Sequence, residues 1–158
     1  MSEATVIHGI EHTELLQVHE HVPDQKPSGD CYRTAIACLL GAKDPTHVPH
    51  FVDLAPKGPW EHLRAARRWL REEMVLDLFP GDLDQAIELG VPYMLSVPSK
   101  KGPWGHIVIG KAGEVVHDPS GLDYSDAEPD EPIAWVLTTP YDPDPDAQIA
   151  AWLLEVAS

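Results

Sequence analysis

Apolar and polar positions along this chain switch between a helical and a strand period. After the loop-like Gln25-Lys-Pro-Ser-Gly-Asp30, the run Cys31-Tyr-Arg-Thr-Ala-Ile-Ala-Cys-Leu-Leu40 is rich in helix formers, and Gly41 stands at the expected C-terminal stop. From Pro59 to Glu73, Leu63, Ala66, Leu70 and Met74 recur at helical spacing and predict a core-facing stripe, with Arg64, Arg67, Arg68 and Arg71 on the other faces. Asp82-Leu-Asp-Gln85 has the form of a cap for a helix that ends at Gly90. A last helix is predicted over 146–157, with Ile149, Trp152, Leu153 and Val156 facing the core. Strands are predicted at Tyr93-Met-Leu-Ser-Val97, His106-Ile-Val-Ile-Gly110, Glu114-Val-Val-His-Asp118 and Ile133-Ala-Trp-Val-Leu-Thr138. Residues 14–20 read equally as an edge strand or a loop, and 123–131, followed by Pro132, as a solvated loop. Together these elements predict an α+β fold in one domain spanning 1–158, with its core in 25–140 and residues 1–24 as an N-terminal extension.

The chemistry-bearing positions fall at the ends of these elements. Cys31 occupies the first turn of its helix, where unpaired backbone N–H groups favour a thiolate and can face a developing oxyanion; Asp30 is the natural cap. Gln25 is carried back by the short Pro-Ser-Gly loop as a second oxyanion donor. Cys38, two turns on and inside the apolar face, reads as a core residue. The helical rise puts it about 10 Å from Cys31, too far for a disulfide. If the turn between the second and third predicted strands centres on Ala112, His106 faces Asp118 directly and His117 points to the other face. A one-residue slip nominates His117 instead. In the first register Asp118 holds one tautomer of the His106 base, which completes a nucleophile, base and orienter. Trp104, beside the base, is a candidate wall of a substrate cleft.

The spacing from Gln25 to Cys31 resembles that of papain-like cysteine peptidases. The pair Asp30-Cys31, the small Ala35, Gly105-His106 with its apolar followers, and Asp118-Pro119 resemble the leader-cleaving peptidase domains of bacteriocin-exporting transporters. The phrases 29–41, 48–51 and 105–119 are also similar to small stand-alone papain-like proteins of phages and prophages. The resemblance covers 25–119. It implies a papain-like fold, with the nucleophile helix packed on an antiparallel sheet that carries His and Asp, and a thiol hydrolase cutting a peptide or isopeptide amide. Acyl transfer to an amine is the neighbouring chemistry, and a catalytically silent binding or inhibitory module the alternative. Leader-cleaving peptidases usually have glycine after the cysteine. Tyr32 stands there in this chain, where it and Arg33 can reshape the substrate site.

Composition narrows the partners. The net charge is −15, and no Lys or Arg follows Lys111. Such a field repels nucleic acid and attracts basic substrates, although solubility alone explains it as simply. In so acidic a chain the four arginines read as a solvated or internally paired helix face. His19-x-His21 and His47-x-x-His50 are possible ligand pairs, which His117 could join with a carboxylate. Neither Cys-x-x-Cys nor His-Glu-x-x-His accompanies them, so no metal and no cofactor are expected. No apolar run approaches the ~20 residues of a membrane span. The first residues lack the basic and apolar regions of a secretory signal, and a reducing cytoplasm is the expected compartment for two cysteines.

Overall fold

The computed structural model of the protein describes residues 4–58 and 60–140. The helix predicted over 146–157 lies outside these residues. Five strands form one antiparallel sheet: β1 (Asp77–Asp82), β2 (Tyr93–Pro98), β3 (Gly105–Lys111), β4 (Glu114–His117) and β5 (Ile133–Thr138). Their order across the sheet is β1-β5-β2-β3-β4. Four helices accompany it: α1 (Cys31–Leu39), α2 (Phe51–Leu54), α3 (Glu61–Trp69) and α4 (Leu83–Leu89). The architecture is therefore α+β, and four of the five strands lie where the apolar alternation predicts them. Among the described residues no helix is long and apolar enough to cross a membrane.

Both faces of the sheet are covered, which is why β2 and β5 carry apolar residues at almost every position. Met94, Ile109, Leu78 and Leu137 pack on one face against α1 and α3, through Ala35, Ile36, Cys38, Leu63 and Ala66, and against Leu70 just beyond α3. Leu95, Val97, Val108, Ala134 and Val136 face the other way, toward Ala86 of α4 and Tyr124. Tyr93 pairs with Gly110 across the β2–β3 ladder. A Cβ on Gly110 would come within 2.2 Å of the Tyr93 ring, so this glycine provides room for an aromatic ring rather than backbone freedom. Gly102 does the same for Trp104, whose ring lies 2.1 Å from where a Cβ would stand.

The β1 strand is absent from the apolar pattern, because Leu76-Asp-Leu-Phe-Pro-Gly81 contains an acid and a proline. It is an edge strand, where a missing N–H is tolerated. Its Asp77 explains the arginines of α3. Asp77 is fully buried and accepts from Arg67 Nε at 2.8 Å and Nη2 at 3.1 Å, while Arg71 Nη1 donates at 2.7 Å. Arg67 is itself only 1 % exposed. Arg64 pairs with Glu61 at 2.7 Å, so this is an internally paired helix face, and Arg68 is exposed. The α-helix ends at Trp69 and continues as a π-turn over Leu70–Met74. That change of pitch rotates Met74 off the predicted stripe, and its side chain is exposed.

Replacing Asp77 with Ala should cost about 3–5 kcal/mol of stability, because it removes the carboxylate that compensates a buried guanidinium. Urea unfolding measures this. A loss below about 1 kcal/mol would mean that the pair is dispensable.

Candidate active site

The three groups of the predicted triad meet at element ends. Cys31 is the first residue of α1, His106 the second residue of β3, and Asp118 follows the last residue of β4. Cys31 and His106 line one cleft of about 200 Å³, with Gln17, Ser120, Tyr124 and Trp104 around them. Cys38 is fully buried, both cysteines are free thiols, and burial pushes the Cys38 thiol up to about 11.

His106 and Asp118 meet by a route that differs from the predicted register. The hairpin turns on two residues, Ala112 and Gly113, both with positive φ (54° and 87°), and Lys111 pairs with Glu114. Had that register continued, His117 would share a face with His106. Instead the ladder shifts between Gly110, which pairs with Val115, and Ile109, which pairs with His117. Val116 is the extra residue of a bulge, and it reverses side-chain parity beyond it. Asp118 thereby reaches the His106 face, and its Oδ1 takes the His106 Nε2 hydrogen bond. His117 turns the other way and donates from Nε2 to the Leu15 carbonyl at 2.6 Å.

Asp118 is saturated as an acceptor. Beyond His106, its oxygens accept from Ser120 N (3.0 Å), Ser120 Oγ and Leu122 N (2.8 Å). Burial opposes its ionisation, but these hydrogen bonds prevail and hold the carboxyl below its ordinary range. Burial likewise opposes the charge on His106. The Asp118 hydrogen bond, hydrogen bonding and charge from Cys31, and the Asp118 charge outweigh it and raise the imidazole to about 9. The ring also stacks on Tyr124, centroids 4.8 Å apart. With Nε2 engaged by Asp118, Nδ1 is the nitrogen left for the thiol.

Two expectations about the nucleophile's surroundings need correction. Asp30 occupies the position before α1, but its side chain makes no cap bond. Fully buried, it accepts from Val18 N (3.2 Å), His19 N (2.8 Å) and Arg33 Nε (2.9 Å). The N–H groups of the first turn are thus left uncapped by Asp30. Gln25 is exposed and lies off the cleft. The glutamine that lines it is Gln17, whose Nε2 donates to the His19 carbonyl at 2.7 Å and keeps a second N–H, while its Oε1 is buried without a partner.

Gln17 belongs to residues 4–22, which run as an extended strap. Thr13 N donates to Cys38 O (3.0 Å), Leu15 N to Cys38 Sγ (3.5 Å), and Gln17 N to Pro119 O (2.8 Å). The strap joins both ends of α1 to the loop after β4. Its sequence carries no apolar period, and a glutamine fourteen positions before the cysteine has no spacing signal to find it by.

Trp104 lines the cleft as expected, edge-on to His21. Tyr32 does not. It is 8 % exposed and lines a second cavity instead. Among the described residues no group of three or more His, Cys, Asp or Glu side chains is arranged to hold a metal ion. His50 instead bonds the Ser28 carbonyl at 2.9 Å. Compared with known proteins, the chain matches no family model, no curated protein and no solved structure.

In native protein His106 should remain protonated to about pH 9, and Asp118→Asn should bring its titration, followed by imidazole NMR, back toward 6.5. The folded value is the raised one. The stability that the imidazolium contributes is therefore complete below about 6.5 and is lost as pH rises through about 9. The unfolding midpoints of wild type and His106→Gln should accordingly draw closer between pH 6 and pH 10. A gap that stays constant would refute the assignment.

Proposed function

We propose that this protein is a papain-like thiol hydrolase that cleaves a peptide or isopeptide amide. The observation that carries the reading is a cysteine at a helix N-terminus sharing a cleft with an imidazole whose other nitrogen is held by a buried, saturated carboxylate. Each part has a role. Asp118 fixes the ring and favours the imidazolium, which in turn favours the Cys31 thiolate. The thiolate attacks the amide carbonyl, and the tetrahedral oxyanion is met by the Cys31 N–H and the second N–H of Gln17, in the role that sequence spacing assigns to Gln25. Imidazolium gives its proton to the leaving amine as the C–N bond breaks, which leaves a thioester on Cys31. His106 then takes a proton from water as the water attacks the thioester, and thiolate departs. An amine in place of that water makes the same machinery a transamidase.

The arrangement supports a peptide or protein substrate and needs no cofactor. A reducing compartment such as the cytoplasm suits a reactive Cys31, and the acidic surface disfavours nucleic acid as a partner.

The first test compares iodoacetamide alkylation of the two cysteines across pH, by peptide mass spectrometry. Cys31 should react rapidly, Cys38 should stay inert, and His106→Ala should abolish the advantage of Cys31. Equal, slow reaction of both thiols would leave only the silent binding module. The second test is turnover of a mixed peptide library. Cys31→Ala should end it and Gln17→Ala should lower kcat by about 10²–10³-fold, while Gln25→Ala leaves it unchanged. Loss on Gln25→Ala with Gln17→Ala silent would reverse the assignment of the oxyanion donor.

A further inference from the structure

A second cavity, of about 350 Å³, is larger than the cleft that holds Cys31. It lies against the other side of the reacting pair: Tyr32 follows Cys31 in the chain and Ile107 follows His106, and both line it. Trp60 and Trp135 supply further aromatic wall, and Asp130 and Glu131 stand exposed at its rim. We propose that this cavity binds a cationic side chain of the substrate, lysine or arginine, with its aliphatic stem against the aromatic wall and its charge at the two carboxylates.

Three observations carry this. The Tyr32 hydroxyl is buried and has no hydrogen-bond partner, although buried hydroxyls almost always have one. Burial raises its pKa, so it stays a neutral hydroxyl that can accept from an ammonium or guanidinium. Neither Asp130 nor Glu131 forms an ion pair among the described residues; Asp130 accepts only from Ser96 Oγ, at 3.2 Å. The remaining titratable wall is not positive either. His62 packs edge-on against Tyr32, centroids 4.8 Å apart, and burial lowers its pKa, so it is neutral near pH 7. The Arg67 charge acts on Tyr32, but its guanidinium is held by Asp77. Aromatic faces beside carboxylates select a cation with an apolar stem, and the volume falls in the small-ligand range of about 300–1,000 Å³. The net charge of −15 adds long-range attraction of the same sign.

As a specificity site this rests on the hydrolase reading, so binding and turnover are measured separately. Full-length Cys31→Ala is titrated with Nα-acetyl-lysine methylamide and with Nα-acetyl-norleucine methylamide, which shares the stem without the charge. The indole resonances of Trp60 and Trp135 are the readout. We expect the lysine probe to shift both indoles and to bind about tenfold or more tighter than the norleucine probe. Asp130→Asn/Glu131→Gln, two exposed changes that leave the core intact, should erase that difference. Equal binding of the two probes, or indoles that do not move, overturns the proposal. Wild-type protein is then given peptide libraries with and without basic residues. Lysine binding with no cleavage of any peptide leaves the cation site standing and removes the hydrolase. Cleavage with no basic preference and no lysine binding does the reverse.

Discussion

The extra residue at Val116 sets the side-chain parity of His117 and Asp118 at the end of β4. A two-residue turn at Ala112-Gly113 would by itself deliver His117 to the face of His106. The bulge passes that place to Asp118 and leaves His117 to hold the strap through Leu15. From this one irregularity follows the pairing of Asp118 with His106, while the same carboxylate accepts from Ser120 and Leu122 of the next loop. Bulges re-aim side chains in this way at functional edges of sheets.

Three buried carboxylates act as assembly points for polar parts that the core cannot hold. Asp118 gathers His106 and the loop after β4. Asp30 gathers the strap and Arg33, and Asp77 gathers two arginines of the α3 segment. Each would be costly to bury alone, and each is tolerable because its oxygens are filled by fixed donors. For Asp30 the consequence reaches the site. Turned toward the strap, it leaves the start of α1 uncapped beside Cys31, and the same strap brings Gln17 into the cleft.

Cys31 and Tyr32, adjacent in the chain, line two spaces of different character. The cleft on the His106 side is walled by Trp104 and Tyr124 and crossed at its mouth by the exposed Lys101–Glu20 pair, at 2.8 Å. The space on the Tyr32 side is larger, aromatic and acidic at the rim. Consecutive residues of α1 and of β3 serve the two, because neighbouring side chains on a strand or helix point apart.

Much of this was legible from local pattern alone. The α1 helix, α4 with its Asp82 cap and Gly90 stop, and strands β2 to β5 follow from periods, caps and turns, which are properties of a few adjacent residues. So do Cys31 at a helix start, Cys38 in the core, and His106 with Asp118 as neighbours, since a hairpin keeps them close under any small register change. Other features were decided by contacts between distant segments. The β1 strand exists because β5 pairs with it, despite Asp77 and Pro80. Met74 leaves the core because the helix changes pitch at Leu70. Gln17 rather than Gln25 lines the cleft because a strap with no periodicity is tied down by Cys38, Asp30 and Pro119, and Tyr32 faces away from the cleft because α1 buries it against Phe51 and His62. Backbone propensity acts over one turn of chain, whereas the side-chain environment of a site is set by whichever segments pack there, and no spacing rule along the sequence records that choice.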